Sequence, residues 1–292
     1  MIHKMIKTFA PIAAIALSTA LAGCDGVNIK INDEEGVPLS ELDMSGDPPT
    51  ELALIAPDKV ILTEGDTLDI TVEGDDEAVD AMRFTNSGGT LGIMRESGNW
   101  KGSSYATVRV TMPAPEGISI AGSGTVKASK LASDASINIA GSGSVEATEI
   151  DSDSLEISMG GSGKVSGAGK AERLEVSAAG SGNVDMPDLS VEGAEISIVG
   201  SGDVRFASDG DVEVSIAGSG NVYVTGSATC TVSAVGSGKV VCKSTKEEAA
   251  AEEEVTATKS AEKAKAKAAK ANAKAKKKLA KAKKTAKKVR KA

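Results

Sequence analysis

The stretch Glu195-Ile196-Ser197-Ile198-Val199-Gly200-Ser201-Gly202-Asp203-Val204 decides the fold, because its pattern recurs down the chain. Gly-Ser-Gly occurs seven times, with its glycines at Gly122/Gly124, Gly141/Gly143, Gly161/Gly163, Gly180/Gly182, Gly200/Gly202, Gly218/Gly220 and Gly236/Gly238. Successive triplets start 19, 20, 19, 20, 18 and 18 residues apart. Two positions past every triplet stands a valine: Val126, Val145, Val165, Val184, Val204, Val222 and Val240. A fixed period of this length marks a repeat architecture.

Working outward from the triplet, the residues before it alternate with period two. The apolar pairs are Ile118/Ile120, Ile137/Ile139, Ile157/Met159, Val176/Ala178, Ile196/Ile198, Val214/Ile216 and Val232/Ala234, and Ser or Asn separates each pair. That is a strand with one face buried and one wet. Alternation resumes after the triplet, as in Val222-Tyr223-Val224. Each repeat therefore reads as strand, corner, strand and a looser return such as 130–135. Glycine suits both ends of the corner because a sharp bend favours positive φ, and because a Cβ would crowd the coil stacked beside it. One strand pair cannot bury its apolar face alone, whereas stacked coils share a core. The expected fold is all-β: a right-handed parallel β-helix, or solenoid, of GSG-marked coils. Antiparallel hairpins, as in a prism or barrel, are the competing reading, but hairpins do not require the same residue at the same offset every 18–20 positions.

Composition agrees with a narrow core of small apolar residues. Aromatics are 2% of the chain, limited to Phe9, Phe84, Trp100, Tyr105, Phe206 and Tyr223. Charge is strongly divided. Residues 243–292 hold 18 Lys/Arg against 6 Glu, or +12, which leaves 15 basic and 35 acidic residues, or −20, for the rest. An acidic body with a basic tail predicts two kinds of partner.

Residues 1–23 read as a signal peptide, with Lys4 and Lys7 before an apolar run of about 12 residues, too short to span a bilayer. The run ends in Leu21-Ala22-Gly23-Cys24, which resembles the bacterial lipobox and implies acylation of Cys24. Several acyl chains anchor stably where one does not. Asp25 resembles an inner-membrane retention signal. Residues 24–50 are acidic, contain Pro38, Pro48 and Pro49, and read as a tether. Residues 51–115 carry strand-like runs at 59–63, 68–73, 81–86, 90–95 and 106–112. They lack Gly-Ser-Gly but include Ser87-Gly88-Gly89, and read as divergent first coils capping the seven-repeat helix at 116–243.

The repeats, preceded by Val60-Ile61-Leu62-Thr63-Glu64-Gly65-Asp66 and Gly88-Gly89-Thr90-Leu91-Gly92-Ile93-Met94-Arg95-Glu96, resemble the head-GIN domain family of autotransporter adhesins over about residues 55–242. The resemblance implies a β-solenoid at the cell envelope and brings no catalytic residues. The family often has Asp after the triplet. Here the position holds Thr125, Ser144, Lys164, Asn183, Asp203, Asn221 and Lys239, so an aspartate-ladder ligand site is not expected.

Chemistry is sparse. The one histidine, His3, lies in the signal peptide, so Ser-His-Asp and Cys-His catalysis and the commonest zinc ligand drop out. Glu156, Glu175, Glu195 and Glu213 recur one coil apart on an outward face, where solvated carboxylates are expected rather than a glycosidase pair. A metal at Asn183, Asp203 and Asn221 is not expected either, since turn-favouring residues suit a corner. No catalytic residue, cofactor, metal or small-molecule substrate is predicted. Cys230 and Cys242 align with inward Val212 and Val224, and either a disulfide closing the last coil or two buried thiols fits them.

The tail, 244–292, begins with a capping-box pattern at Ser244–Glu247, then passes from Glu-rich to an Ala/Lys run without an apolar stripe. It reads as a solvated, flexible or partly helical arm. Its composition resembles linker-histone tails, and its expected partners are anionic: lipid head groups, lipopolysaccharide, peptidoglycan or extracellular DNA. The expected function is a non-enzymatic, lipid-anchored envelope protein, adhesive or structural. A polysaccharide-acting enzyme and a signalling or accessory envelope protein are the alternatives.

Overall fold

The computed structural model describes residues 30–96 and 104–244. Cys24, the expected acylation site, the expected signal peptide over 1–23 and all of the tail beyond Ser244 lie outside them. Strands β1 (Lys30–Ile31) and β2 (Glu34–Glu35) form a short antiparallel pair. A single 3-10 turn, Leu39–Glu41, follows. Next come β3 (Glu51–Ile55), β4 (Lys59–Glu64), β5 (Asp69–Gly74), helix α1 (Asp76–Asp80), β6 (Met82–Ser87), β7 (Thr90–Arg95) and β8 (Ala106–Met112). The repeats contribute β9 (Gly117–Gly122), β10 (Thr125–Lys130), β11 (Asp134–Gly141), β12 (Ser144–Gly161), β13 (Lys164–Gly180), β14 (Asn183–Gly200), β15 (Asp203–Gly218), β16 (Asn221–Gly226), β17 (Thr229–Gly236) and β18 (Lys239–Ser244).

The repeats stack in parallel and in register, which makes the body a β-solenoid and rules out the hairpin alternative there. Gly122, Gly141, Gly161, Gly180, Gly200, Gly218 and Gly236 pair in one column through the ladder. Alternation decides what enters the core. Ile196, Ile198 and Val204 are buried while Glu195 and Ser197, which alternate with the isoleucines, are exposed. Of the seven post-triplet valines, only Val240, in the last coil, is not fully buried. Leu, Ile, Val and Ala fill most of the repeat interior, with Met159, Met186 and Phe206 the bulkiest insertions.

The two glycines of a corner divide between them the two reasons expected for glycine there, positive φ and crowding. Every first glycine has a φ between 122 and 138°, open to glycine alone at little strain. None of the second glycines, Gly124, Gly143, Gly163, Gly182, Gly202, Gly220 and Gly238, has a positive φ. Crowding explains them instead. A Cβ on Gly163 would stand 2.8 Å from Ile139 Cγ2 and 2.9 Å from the Gly143 carbonyl oxygen. On Gly182 it would run into Met159 Sδ and stand 3.1 Å from the Gly163 carbonyl oxygen. The ladder continues through the bend: the Ser142 N–H donates to the Gly122 carbonyl at 2.8 Å and the Ser144 N–H to that of Gly124 at 2.9 Å.

The return is tighter than the sequence suggests. β12 to β15 each run from one triplet to the next, so the return also pairs with its neighbours. Differences in coil length are taken up there by register shifts, between Ala147 and Ile150 on β12 and between Ser166 and Ala168 on β13. Corners stay fixed and the returns give way.

The N-terminal end departs from a simple series of coils. β3/β4 stacks in parallel against β9/β10 on one side and β7/β8 on the other. The coil second in sequence is thus outermost in space. β5 pairs antiparallel to β8, and β6 antiparallel to β7. Ser87-Gly88-Gly89-Thr90 is not a corner but the hairpin turn between β6 and β7, with φ of 60° at Gly88 and 79° at Gly89, as a type I′ turn requires. Antiparallel edge strands end the parallel stack and so close it against further coils.

Residues 30–50 are not the free tether expected across 24–50. Val37 and Phe84 exchange backbone hydrogen bonds of 2.9 and 2.8 Å, and Leu39 and Leu42 pack on the main core. The apolar residues of this acidic stretch, few but regularly used, bind it to the edge strand β6.

Candidate functional site

The wall built from the strands ahead of the corners presents polar columns to solvent. In one column Glu156, Glu175, Glu195 and Glu213 are direct ladder neighbours and all exposed. Adjacent strands lie about 4.8 Å apart, so this is a line of like charges at close spacing. Among the described residues none of the four has a salt-bridge partner. Beside it runs Ser119, Asn138, Ser158, Ser177, Ser197, Ser215 and Ser233, again in register. These glutamates point outward as the alternation dictates, and no opposing acid among the described residues faces them across a cleft.

The strands after the corners carry paired charges instead. Lys127 bonds Glu146 one coil on. Lys164 Nζ and Arg205 Nη1 reach Asp185 at 3.4 and 3.5 Å, and the Arg205 guanidinium lies 5.1 Å from the Tyr223 ring centre. These exposed pairs each contribute little to stability but set the charge pattern of the wall. At the corner, the Asp203 N–H donates to Asn183 Oδ1 at 3.0 Å. Asn221 donates to Asp203 Oδ1 twice, through its backbone N–H at 3.1 Å and its side-chain amide at 2.8 Å. The short Asn/Asp column is thus occupied in joining coils, and among the described residues no group of acids, His or Cys is arranged to hold a metal.

The returns line an open depression of about 590 Å³ with Asp151, Asp153, Lys170, Glu172, Glu192 and Asp209. Two of its acids already have internal partners. Asp153 accepts from the Ser133 hydroxyl at 2.7 Å. Asp209 Oδ1 accepts from both the hydroxyl and the backbone N–H of Ser227, each at 2.7 Å. The Ser227 hydroxyl, then its N–H, holds the Asp209 carboxyl below the ordinary aspartate range. A carboxyl held ionised is a poor proton donor, the opposite of what a glycosidase acid needs.

Cys230 and Cys242 are joined as a disulfide, with Cα atoms 6.6 Å apart. Cys230 pairs with Val212 in the ladder, the inward position expected of it. Both cysteines pack against the core while remaining partly exposed. One buried feature is missed by the reading of the sequence. Asp58 and Arg95 form a buried ion pair, with Arg95 Nε donating to Asp58 Oδ2 at 2.6 Å and the Ala106 N–H to Asp58 Oδ1 at 2.7 Å. Arg95 Nη2 also donates to the Ser104 carbonyl at 2.9 Å. The pair ties the end of β7 and the start of β8 to Asp58, between β3 and β4. Only an Arg ending the apolar run Thr90–Met94 hints at it. No helix of the described residues is long and apolar enough to cross a membrane.

Residues 48–228 match the family model described as "Putative auto-transporter adhesin, head GIN domain". The chain belongs to that family. No protein of curated function matches it. Among solved structures it is similar to a putative adhesin from Bacteroides fragilis, at 21% identity and a TM-score of 0.61, covering 67% of this chain and 93% of that one. A putative lipid binding protein from Parabacteroides distasonis gives 19% identity and a TM-score of 0.51, covering 68% and 93%. A putative adhesin from Parabacteroides merdae gives 18% and 0.51, covering 68% and 92%. At these identities the likeness to the solved structures shows the fold alone. The family match ends at 228, one residue before β17, whereas the motif resemblance extends to 242.

Proposed function

We propose that this head-GIN protein is a non-enzymatic component of the cell envelope, held to a membrane by acylation of Cys24, with its solenoid wall as an adhesive or scaffolding face. The observation that carries the reading is the outer wall, where Glu and Ser columns repeat coil after coil. Repeated identical groups favour many weak simultaneous contacts with an extended partner over one deep pocket for a small molecule. The family name and the adhesin neighbours support an envelope or surface role. The Lys-rich residues 244–292 supply a second, oppositely charged region suited to anionic polymers such as peptidoglycan, lipopolysaccharide or DNA.

Two measurements test the reading. Palmitate labelling with a Cys24→Ala control, followed by membrane fractionation, should give a labelled membrane-bound protein and an unlabelled soluble variant. Binding of the mature chain to cells, peptidoglycan and lipopolysaccharide should fall in a variant whose tail lysines are replaced by Gln, and fall further with salt. Unchanged binding in that variant would remove the tail from the proposal. Turnover of an envelope glycan that a single carboxylate substitution in the return depression abolishes, with the fold intact, would overturn the non-enzymatic reading.

A further inference from the structure

The two ends of the solenoid are finished in different ways. At the N-terminal end, β5 and β6 close the stack and the Asp58–Arg95 pair ties the end of β7 to the segment between β3 and β4. At the other end, among the described residues, β17 and β18 have a neighbour on one side only, β15 and β16 respectively. Inward side chains there have lost their cover. Val232 is 48% exposed, whereas its ladder partner Val214 is 0% exposed. The corner bond also lengthens, from 2.9 Å for Ser144 N to Gly124 O to 3.3 Å for Lys239 N to Gly220 O. In a stack of repeats, a terminal coil with one interface and half its burial is the first to open.

We propose that the Cys230–Cys242 disulfide is a redox-sensitive end clamp that decides whether residues 229–244 belong to the solenoid. It bridges β17 and β18 across the interior of the last coil, with the corner Gly236–Gly238 between them. Among the described residues no further coil packs on β17 and β18, and the covalent brace holds the two walls at their spacing there. Both cysteines are partly exposed among the described residues, which gives a reductant access to them. Reduction by a dithiol balances without further reagents. One reductant thiolate attacks Cys242 Sγ and releases Cys230 as a thiolate, which takes up a proton. The second reductant thiol then displaces Cys242, giving two cysteine thiols and the oxidised cyclic dithiol, for two electrons and two protons transferred. The freed coil then exchanges between docked and open forms. Opening uncovers the ladder edges of β15 and β16.

Hydrogen exchange on the full chain, read by mass spectrometry before and after dithiothreitol, tests this, with alkylation mapped by peptide to report each thiol. Oxidised protein should show no free thiol at 230 or 242, and reduced protein both. Peptides over 229–244 should exchange on the order of 100-fold faster once reduced, the gain a loop of this length gives, while peptides over 134–200 are unchanged. A Cys230→Val/Cys242→Val variant, which keeps the apolar packing, should behave as the reduced protein with or without reductant. Equal exchange in 229–244 in both redox states overturns the clamp. So does free thiol in the oxidised protein, or loss of protection spread over 134–218 together, which would make the disulfide a global staple.

Discussion

Gly141 stacks on Gly122 so closely that a Cβ on Gly141 would stand 2.5 Å from the Gly122 carbonyl oxygen, whereas a Cβ on Gly122 would meet nothing within 4 Å. The two have nearly the same φ, 127 and 126°. Alanine at either position carries backbone strain of about 1–3 kcal/mol, but only at 141 does it also force the stacked backbones apart. Gly141→Ala should therefore lower the urea midpoint clearly more than Gly122→Ala. Equal losses would mean that conformation alone explains the corner.

The Asp58–Arg95 pair should show strong coupling. Asp58→Ala leaves a buried guanidinium and should destabilise by about 3–5 kcal/mol. Replacing both, as Asp58→Leu/Arg95→Met, should lose much less than the two single losses added together. A double-mutant cycle by chemical denaturation measures the difference, and simple additivity would contradict the structure.

Core and surface apolar residues should separate cleanly. Phe206 is buried among the repeat interior, and Phe206→Ala should destabilise by about 3–5 kcal/mol. Val235 is 76% exposed, and Val235→Ala should stay within about 0.5 kcal/mol of the parent. Chemical denaturation of the two variants side by side checks the contrast.

Asp209 gives a pH prediction. Its carboxyl sits below the ordinary aspartate value of 3.8 because the Ser227 hydroxyl, then its N–H, bonds the ionised form. A depressed folded pKa means that its stabilising share is present above the unfolded value and is lost as pH falls through the folded one. Ser227→Ala should move the Asp209 titration upward in a carboxyl NMR experiment. No movement would show that the hydroxyl does not act on it.

The Glu156–Glu175–Glu195–Glu213 column predicts a gain rather than a loss. Glu175→Gln removes the charge between two like neighbours and should stabilise by a few tenths of a kcal/mol, an effect that shrinks as salt screens the column. A salt-independent change in thermal midpoint would point to a different cause.

Much of this architecture is legible in the sequence because the repeat is local. Spacing, alternation and the inward valine all lie within one coil and recur, so Val165 or Ile196 declares its place from its neighbours in sequence. The partial disulfide reading has the same source, an alignment of repeats that puts Cys230 over Val212. Gly182 and its equivalents are legible as corner residues, but the reason for them is not. The pressure on that glycine comes from Met159 and Gly163 in the coil below, which no local pattern reveals. Other features are non-local throughout. Nothing near Asp58 or Arg95 indicates that residues 37 positions apart share a buried pair. Nothing in 51–115 indicates that β7/β8 passes outside β3/β4. Gly88-Gly89 is ambiguous for the opposite reason: two glycines suit a hairpin and a corner alike, and only the pairing partner distinguishes them. Residues 30–50 look polar on average, and the average hides Leu39 and Leu42, which seat them.

The fixed corners and yielding returns have a genetic consequence. Because the first glycine of each triplet from Gly141 on rests on the first glycine of the coil before it, one corner is much like another as a seat for the coil above it. An unequal crossover joining two triplets in frame would delete or duplicate a whole turn without creating an unfamiliar junction. Chain length in such a protein can thus change in steps of one coil, leaving both ends as they were.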